Sequence, residues 1–455
     1  MSLSMDVLQS KKEILQRRLQ EKFFGGRKGS SPPRVLILGL GVQGGGVGAA
    51  RFFARLGMNV TVTDLKQKKD LSVSLKRLRG LPIRYVLGKH RMVDIRKSDL
   101  IVKNPGVLAR SPFIREAKKR KIPITNDAGL FLALAPPETI IGVTGTKGKT
   151  TMTMLLGHIL GRRAAVVGTP GVSFFEYFFL KEEPEWVIGE FSSFDLEYVR
   201  SSPHIAVMTS LFADHLNRYA SFDEYARFKM NIARFQNSSD FFIAYRSPRL
   251  RAHLTGLKSK VMFTREQNLS RRITQVSWRL PLELVAITYR VSKILEIPEK
   301  IFWAKVKNFK VPEGRLEIVA RKKGRVYIND TTATNPGSAI HSLRAIRRAF
   351  GEKIRLLVIT GGEDKLFPKD EIRQYAKDLQ ARADSVYMLP GSMTNTLAHY
   401  VRGGVLCGSL EEAVSKASGT KGIIALVPGA ASFNMFMNEF HRARVFIKAV
   451  RRLKI

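Results

Sequence analysis

Apolar residues recur along this chain in short runs, separated by longer stretches in which apolar and polar positions alternate with a helical period. Early in the chain, such runs are Val35–Leu38, Val60–Thr63 and Leu100–Val102. Runs of this length, bounded by turn residues, predict buried strands, and the stretches between them predict helices. Strands that alternate with helices in this way indicate parallel sheets covered on both faces.

The same alternation continues to the C-terminus with two interruptions. Pro136-Pro137 and the segment Val311–Gly314 each punctuate the chain, and such Pro- and Gly-containing segments mark boundaries. We therefore predict an α/β protein of three tandem domains, preceded by an amphipathic helix and a Gly-, Ser- and Pro-rich linker. The predicted parts are an N-terminal extension (1–33) and domains over 34–137, 138–312 and 313–455. The later strands are expected at 139–143, 186–189, 205–208, 325–328, 356–359, 385–389 and 423–427.

Composition and charge narrow the function classes. The 455 residues are 44% hydrophobic, which is enough for several buried cores. Lysine and arginine number 77 against 38 acidic residues, a formal net charge of +39. Such a field attracts nucleotides, nucleic acid or acidic lipid. The basic residues are spread along the whole chain, which favours a generally cationic surface over a nucleic-acid site.

The expected compartment is the cytoplasm. The N-terminal residues lack the apolar core of a secretory signal. No uncharged apolar run reaches about 18 residues, so we expect no membrane span. The single cysteine, Cys407, fits a reducing compartment.

A first glycine-rich loop, Gly39-Leu40-Gly41-Val42-Gln43-Gly44, follows the first predicted strand and precedes a helix. Asp64 closes the next strand. Glycines permit a tight turn and the close approach of a diphosphate, which a helix N-terminus stabilises. The acidic residue can accept hydrogen bonds from a ribose or a base. The pattern predicts a nucleotide site and leaves the identity of the nucleotide open.

A second loop is more specific. Gly142-Val143-Thr144-Gly145-Thr146-Lys147-Gly148-Lys149-Thr150-Thr151 lies between an apolar strand and the helical run Met152–Leu160. Backbone amides in such a loop converge on phosphate oxygens, the lysine neutralises them, and the following hydroxyl can bind Mg²⁺. The sequence therefore predicts an ATP site here. Five residues, rather than four, separate Gly142 from Gly148.

Two further segments supply candidate metal ligands. Glu190 ends the predicted strand at 186–189, and Asp214-His215 follows the strand at 205–208. Side chains at the carboxyl ends of parallel strands face the active crevice of such a sheet. Their placement beside a phosphate loop favours metal binding over a helix cap or a buried structural imidazole.

In combination, these segments resemble the Mur ligase family, and within it the enzymes that add D-glutamate. The loop Thr144–Thr151 is similar to the family's Thr-Gly-Thr-x-Gly-Lys-[ST]-Thr. Other segments that match the family in order are Glu190–Glu197, Asp214–Tyr219, Asn329–Pro336, Gly361–Lys365 and Pro428–Phe433. The resemblance runs from about residue 34 to residue 446. It implies a Rossmann-like N-terminal domain, a P-loop ATPase-like central domain and a Rossmann-like C-terminal domain.

The activity implied by the resemblance is an ATP-dependent, ADP-forming amide ligation. The carboxylate of UDP-N-acetylmuramoyl-L-alanine would be activated as an acyl phosphate and joined to D-glutamate, a step of peptidoglycan precursor synthesis. The implied cofactors are ATP and two Mg²⁺ ions, and the chain is expected to be a monomer. The implied UDP-substrate residues are Gly39, Gly41, Val42, Gln43, Gly44, Asp64 and Gly106.

The resemblance also assigns roles in the other two domains. Lys229, which matches the family's carbamylated lysine, lies on a helix whose start Ser221–Glu224 reads as a capping box. Catalytic roles fall to Lys149, Glu190, His215 and Lys229, and metal binding to Thr150, Glu190, His215 and Lys229. ATP binding falls to Gly145, Thr146, Lys147, Gly148, Lys149, Thr150, Thr151, Arg315 and Asp330. Acceptor binding falls to Thr334, Lys365 and Ser432.

Three alternatives remain at this point. A Mur-type ligase with another acceptor would share the phosphate loop, and Thr332 stands where the family usually has a lysine that helps to hold the acidic acceptor. A basic nucleic-acid-binding P-loop ATPase would use the net charge, but no helicase- or recombinase-like segment supports it. A nicotinamide-dependent oxidoreductase would explain the first loop and leave Gly145–Thr151 without a role.

Overall fold

A computed structural model describes residues 5–25, 31–42, 44–265, 269 and 276–453 of the chain, with backbone alone for residues 5–10. The chain forms two compact units. The first comprises Met1–Ser210, Ala226–Arg265 and Ile287–Pro298, and the second comprises Leu211–Tyr225, Glu266–Ala286 and Glu299–Ile455. No helix among the described residues combines the length and the apolar character needed to cross a bilayer.

The first unit contains two parallel sheets. One has the strand order β3-β2-β1-β4-β5, and this order reverses direction between β1 and β4, where an open α/β sheet places its ligand crevice. Its strands are β1 (Arg34–Leu38), β2 (Asn59–Asp64), β3 (Ile83–Leu87), β4 (Leu100–Lys103) and β5 (Ile124–Thr125). Its helices are α2 (Gly45–Arg55), α3 (Ser72–Lys76), α4 (Met92–Lys97), α5 (Pro112–Lys119) and α6 (Asp127–Leu134).

The second sheet of this unit has the order β11-β10-β9-β6-β8-β7. Its central strand β6 therefore has β8 and β9 as neighbours, and residues that follow these three strands meet at one edge. The strands are β6 (Ile140–Thr144), β7 (Ala164–Val167), β8 (Trp186–Glu190), β9 (Ile205–Met208), β10 (Phe241–Tyr245) and β11 (Lys260–Thr264). Helices α7 (Lys149–Leu160) and α9 (Pro248–Arg251) belong to this unit, while α8 (Phe222–Arg234) and α10 (Leu282–Ile294) have residues in both units.

The second unit is built on a six-stranded sheet of order β12-β13-β17-β14-β15-β16. Alternate residues of β14 belong to two separate apolar clusters. Leu356 and Val358 pack in one cluster, and Leu357 and Ile359 pack in the other, so both faces of the sheet are covered. The strands are β12 (Glu317–Lys322), β13 (Arg325–Asn329), β14 (Leu356–Gly361), β15 (Ser385–Leu389), β16 (Val405–Leu406) and β17 (Gly422–Leu426). The helices are α11 (Glu299–Asn308), α12 (Pro336–Phe350), α13 (Lys369–Arg382), α14 (Ser392–Ala398), α15 (Leu410–Ala417) and α16 (Glu439–Arg452).

Within the first unit, an aromatic cluster joins the helices of the first sheet to the second sheet. Phe52 on α2 packs on Phe175, with ring centroids 4.7 Å apart. Phe131 on α6 stacks on Phe174, which in turn stacks on Phe191 just after β8. Large aromatic side chains bury much apolar area each. This cluster therefore fixes the two sheets of the unit against each other.

The N-terminal helix α1 (Met5–Phe23), within the predicted N-terminal extension, packs against α6 of the first unit. Leu15 and Leu19, four residues apart on this helix, are buried. Arg18 donates to the main-chain oxygen of Leu134 at the end of α6, and Gln16 donates to that of Leu56 after α2. Most of the predicted linker lies outside the described residues.

Most predicted strands are confirmed to within a residue or two. The expectation of wholly parallel sheets is wrong at one place, because β12 pairs antiparallel with β13. Strands β3, β5, β7, β10, β11, β12 and β16 were not predicted. Strands β5 and β16 have only two residues each, whereas the apolar run of β10 is as long as those of the predicted strands and was available in the sequence. Helix α7 begins at Lys149 rather than Met152. At the start of α8, the Glu224 amide donates to the Ser221 hydroxyl, as in a capping box. The Glu224 carboxylate accepts the amide of Ala220, one residue before the amide that a standard capping box uses.

Replacing Leu19 by alanine should lower the free energy of unfolding by about 2 kcal/mol or more, because the residue is fully buried beneath α1. Ile14→Ala is the matched control on the same helix, since Ile14 is 41% exposed. Urea unfolding followed by circular dichroism measures both. An equal decrease in the free energy of unfolding in the two variants would contradict the packing of Leu19 against the first unit.

Candidate active site

The loop after β6 depends on two glycines. Gly145 has φ 148° and Gly148, which precedes α7, has φ 86°. This region of backbone space favours glycine. A Cβ at Gly145 would also overlap the hydroxyl of Thr209. The sequence therefore turns sharply here, and Lys149 opens the helix with the amides of its first turn facing the loop.

The end of β9 braces this loop. The amide of Thr146 donates to the main-chain oxygen of Ser210 (2.9 Å), and the amide of Lys147 donates to the Ser210 hydroxyl (2.9 Å). The Thr209 hydroxyl lies 3.1 Å from the Thr144 oxygen and 2.5 Å from the Lys147 oxygen. Sequence reasoning missed Thr209 and Ser210. Their position directly after the strand that neighbours β6 was the available signal.

Two lysines converge on the inner side of the loop. The Lys149 ammonium donates to the main-chain oxygens of Gly145 (3.1 Å) and Thr146 (3.2 Å). Lys229, on α8, is buried and donates to the same Gly145 oxygen (2.8 Å). The structure thus brings Lys229 to the loop of Gly145 and Lys149, so that residues from two separate segments meet. Thr151 is buried within the first turn of α7.

Thr150 and Glu190 also meet, as predicted. The Thr150 hydroxyl donates to Glu190 Oε1 over 3.0 Å, and Glu190 is buried at the end of β8. A hydroxyl and a carboxylate beside a phosphate loop are the hard oxygen donors that Mg²⁺ prefers, together with phosphate oxygens. In the described part of the chain, no group of three or more His, Cys, Asp and Glu could hold a metal. The residues present therefore fit a Mg²⁺ ion that is shared with bound phosphates.

In the first glycine loop, Asp64 binds the protein itself. Its carboxylate accepts the amides of Leu40 (2.8 Å), Gly41 (2.9 Å) and Lys66 (2.9 Å), and it is buried. Asp64 therefore shapes the loop, and two of the loop's amides are used in doing so. Val42 is exposed and Gly44, with φ 105°, precedes α2. Gln43 lies outside the described residues.

Asn104, just after β4, lies against this loop and was missed by sequence reasoning. A Cβ placed on Gly39 would stand 2.9 Å from Asn104 Cβ, and one on Gly41 would stand 3.2 Å from Asn104 Nδ2. The Asn104 side-chain oxygen accepts the amide of Gly106 (3.0 Å). Gly39, Gly41 and Gly106 are therefore gathered around one amide side chain, between β1 and β4.

Buried charges line the junction between the two sheets of the first unit. Lys103, at the end of β4, pairs with Glu197 Oε2 over 3.1 Å. Asn126 donates to the main-chain oxygen of Asp195 (2.8 Å). Asp127 opens α6, and a Cβ on Gly45 would stand 2.8 Å from its Oδ2.

The two carboxyl groups of this junction affect each other's protonation. Burial and the nearby charge of Asp195 raise the pKa of Asp127 to about 7, although the Ala128 amide and Lys103 act in the opposite sense. Burial likewise raises the pKa of Asp195. The pair can therefore retain a proton near neutral pH.

The second unit has its own polar centre, at Asp214. Its carboxylate accepts the Lys365 ammonium (3.0 Å) and the Asn335 side-chain amide (3.2 Å), and all three residues are buried. Lys365 Nζ also lies 3.5 Å from the Thr334 hydroxyl. The structure thus brings Lys365 and Thr334 together as predicted. It adds Asp214, which sequence reasoning treated only as the neighbour of His215.

His215 has φ 56°, in the left-handed region. Non-glycine residues occupy this region at a cost, often at functional sites. Its amide donates to Asp214 Oδ1 (2.9 Å) and its ring nitrogen Nε2 lies 3.9 Å from the same oxygen. His215 lies in the second unit and Glu190 and Lys229 lie in the first.

Arg315 and Asp330 are held near each other in the second unit. Asp330 is buried after β13, and its Oδ1 accepts the amide of Leu316 (3.2 Å), while the Ser342 hydroxyl bonds its other oxygen. Arg279 donates to the main-chain oxygen of Arg315 (3.0 Å). Asp330 therefore fixes the turn that carries Arg315.

Ser432 is buried and follows Ala431, which exchanges two main-chain hydrogen bonds of 3.0 Å with Glu363. This bridge connects the segments of Ser432 and Lys365. Arg442 on α16 ties the Ser432 segment to the Asp330 segment, because its guanidinium donates to the main-chain oxygens of Ala430 (3.2 Å) and Thr331 (2.9 Å). Burial lowers the pKa of Arg442 to about 10. Sequence reasoning did not single out Arg442.

Three family models match consecutive parts of the chain. Residues 33–126 match "Mur ligase MurD-like, N-terminal domain", residues 143–293 match "Mur ligase middle domain", and residues 314–430 match "Mur ligase, glutamate ligase domain". Together these matches cover most of the chain.

Similar proteins match over nearly their full length. The UDP-N-acetylmuramoylalanine–D-glutamate ligases of Roseiflexus sp. (strain RS-1) and Koribacter versatilis are each 33% identical over 92% of this chain, and the matches cover 98% and 97% of those proteins. A solved MurF ligase of Thermotoga maritima in complex with ADP has a TM-score of 0.58 at 15% identity, covering 87% of this chain and 95% of that one. MurC of the same organism has a TM-score of 0.57 at 19% identity, covering 92% and 99%. At these identities, the structural likeness is one of fold.

The stability of the protein should depend on the protonation of Asp127. Its pKa rises from an ordinary value of 3.8 to about 7 on folding, so between these values the folded protein holds a proton that the unfolded chain has released. Raising the pH from about 4 to about 7 should therefore remove stability, with no further loss from this group above that range. Asp127→Asn should remove a pH-dependent loss on the order of 1–4 kcal/mol.

Urea unfolding at a series of pH values from 4.5 to 8 measures this effect. Asp70→Asn is the control, since Asp70 is exposed, and it should leave the pH dependence unchanged. A pH dependence that is the same in Asp127→Asn as in the unaltered chain would exclude Asp127 as its source.

Proposed function

This chain belongs to the Mur ligase family, and we propose that it joins the carboxylate of UDP-N-acetylmuramoyl-L-alanine to the amino group of D-glutamate with consumption of ATP. The likeness to D-glutamate ligases over 92% of the chain carries this proposal. The phosphate loop of Gly145 and Lys149, with Thr150 and Glu190 beside it, supplies the site that such a reaction needs. The working form we propose is a single chain in the cytoplasm, with domains over 34–137, 138–312 and 313–455.

A carboxylate is a poor acyl donor at neutral pH, and phosphoryl transfer from ATP makes it a good one. The chain's contribution is to position the groups and to neutralise charge. Lys149 and the loop of residues 145–151 bind the phosphates, while the Thr146 and Lys147 amides donate to Ser210 and shape the loop. Thr150 and Glu190 would hold a Mg²⁺ ion, which would supply positive charge to offset that of the phosphates. Arg315 and Asp330 contact the nucleotide from the C-terminal domain.

Lys229 and His215 serve a second Mg²⁺ ion in this proposal. An ammonium cannot bind a cation, so Lys229 must first react with CO₂ to form a carbamate, which supplies an oxygen ligand. The carbamate keeps one N–H, and that N–H can still donate to the Gly145 oxygen, 2.8 Å from Nζ. The buried position of Lys229 beside the phosphate loop supports this assignment.

The UDP portion of the substrate binds the first glycine loop and its surroundings. We assign Gly39, Gly41, Val42, Gly44 and Gly106 to this site from their place in and beside the loop; Gln43, outside the described residues, is assigned from the family resemblance alone. Asp64 acts by holding the loop open through the Leu40 and Gly41 amides. Asn104 joins the set, because it lies between the loop and Gly106.

The acceptor binds in the second unit, at Thr334, Lys365 and Ser432. Lys365 faces an acceptor carboxylate, and Asp214 keeps its ammonium in place before the acceptor arrives. One observation favours a second candidate, a Mur ligase with a different acceptor. The usual lysine is replaced by Thr332, whose hydroxyl donates to the Gly314 oxygen (3.2 Å).

Phosphate release from Mg-ATP with UDP-N-acetylmuramoyl-L-alanine, measured across single amino acids, tests the proposal. Release should require D-glutamate. Lys149→Ala should reduce kcat at least about a hundredfold, because it removes the main cation of the phosphate loop. Lys258→Ala is the matched control, since Lys258 is an exposed lysine outside the phosphate loop, and it should leave kcat unchanged. Release with another amino acid would select the second candidate, and turnover stimulated only by nucleic acid would overturn the ligase assignment.

Carbamylation of Lys229 is tested by ¹³C NMR in ¹³C-bicarbonate. A carbamate resonance should appear in the unaltered chain and in Lys258→Ala, an exposed control, and should be absent from Lys229→Ala. Removal of CO₂ should lower the activity by roughly 10- to 100-fold, as loss of a metal ligand does. Identical spectra in the two variants would rule out a carbamate at this lysine.

A further inference from the structure

A second concave site lies at the carboxyl ends of β10 and β11. It is a cavity of about 470 Å³ lined by Arg246, Ser247, Pro248, Arg251, Phe263 and Arg265. Cavities of roughly 300–1,000 Å³ are the usual size of small-molecule sites. None of the six residues belongs to the phosphate loop or to the first glycine loop, and none has a part in the proposed reaction.

Two of the arginines are held side by side by the sheet. Tyr245 on β10 is paired with Thr264 on β11, so Arg246 and Arg265 are the next residues on two neighbouring strands. The Arg246 amide donates to the Thr264 oxygen (3.3 Å), which continues the ladder by one residue. Like charges at matched positions of adjacent strands repel each other. An anion bound between the two guanidinium groups would attract both of them and offset their mutual repulsion.

The third arginine comes from the short helix that follows β10. The Arg251 amide donates to the main-chain oxygen of Ser247 (3.3 Å), so these two residues are one helical turn apart. Among the residues that the structure describes, no aspartate or glutamate lines the cavity, and no carboxylate pairs with any of the three guanidinium groups. Three cations on one concave wall concentrate a positive field.

The cavity is separate from the ATP loop in the sheet. The order β11-β10-β9-β6 places β10 two strands and β11 three strands from β6, which carries that loop. Neighbouring strands lie about 4.8 Å apart. The arginine cavity is therefore about 10–14 Å from the end of β6, measured across the sheet.

The chemistry of the lining selects the ligand. Guanidinium groups match the geometry of phosphate oxygens and bind them through paired hydrogen bonds. Ser247 adds a hydroxyl, while Phe263 and Pro248 supply apolar surface for the remainder of a ligand. One compact cavity formed by two strand ends and one helical turn suits a small molecule better than an extended nucleic-acid strand, which needs a groove of several nucleotides.

We propose that Arg246, Arg251 and Arg265 form a binding site for a small phosphate-bearing anion, distinct from the ATP loop. This site does not depend on the proposed ligase reaction. Its occupancy would relieve the repulsion between Arg246 and Arg265 and would bring α9 and the two strand ends to a common ligand.

Calorimetric titration with inorganic tripolyphosphate tests the site, using the full chain with its ATP loop saturated by Mg-ADP. One binding event should remain. Its affinity should fall at least about tenfold in Arg246→Gln/Arg265→Gln, which removes two charge-assisted contacts. Arg348→Gln/Arg402→Gln removes the same charge from exposed positions outside the cavity and should leave the affinity within about twofold. Circular dichroism of both variants checks that each is folded.

Three results would overturn the proposal. The first is no tripolyphosphate binding by the unaltered chain once Mg-ADP is saturating. The second is an equal decrease in tripolyphosphate affinity in both double variants, which would show that the binding depends on the net charge of the protein and not on the cavity. The third is binding of a single-stranded oligonucleotide that needs Arg246 and Arg265 and is not displaced by tripolyphosphate, which would make the cavity part of a nucleic-acid surface.

Discussion

In the first unit, the phosphate loop is organised around the main-chain oxygen of Gly145. The loop can turn at this residue because no side chain is present, and a Cβ would overlap Thr209. The turn directs a carbonyl inward, where the ammonium groups of Lys149 and Lys229 both bind it. Both ammonium groups bind the negative end of the same amide dipole, which concentrates positive charge on the inner side of the loop. The arrangement is therefore prepared for additional negative charge, which phosphates beside Lys149 and a carbamate at Lys229 would provide.

Other buried charges of the molecule hold main-chain loops in position. Asp64 holds the first glycine loop through the Leu40 and Gly41 amides, and Asp330 holds the Arg315 turn through the Leu316 amide. Arg442 joins two loops of the second unit through their carbonyls. Burying a charge costs free energy unless it is fully hydrogen-bonded. Here backbone groups meet much of that cost, so these charges define the geometry of the loops that they bind.

Features that depend on residues close together in the sequence were predicted, whereas most contacts between distant segments were not. Apolar runs and glycine loops are local, so the strands, the Lys149 loop and the Thr150–Glu190 pair were predicted. The contacts of Thr209, Asn104 and Arg442 depend on which strands are neighbours, and a single sequence does not state the strand order. Asp64 shows a further limit. Its position was predicted, but its hydrogen bonds to the loop amides became visible only with the backbone in place.

The same reasoning bears on the choice of acceptor. At position 332 the expected lysine is absent, and Thr332 bonds the Gly314 oxygen instead. Arg442 is committed to the carbonyls of Thr331 and Ala430. Lys365 is therefore the predicted acceptor residue that carries a positive charge, and Asp214 holds it at 3.0 Å. Because an ammonium has three N–H donors, Lys365 can keep its bond to Asp214 and still donate to an acceptor carboxylate, so the buried Asp214 would not lose its counter-charge when an acidic amino acid binds. Specificity for a second carboxylate on the acceptor must then come from hydroxyl and amide donors, such as Thr334 and Ser432, rather than from a second lysine.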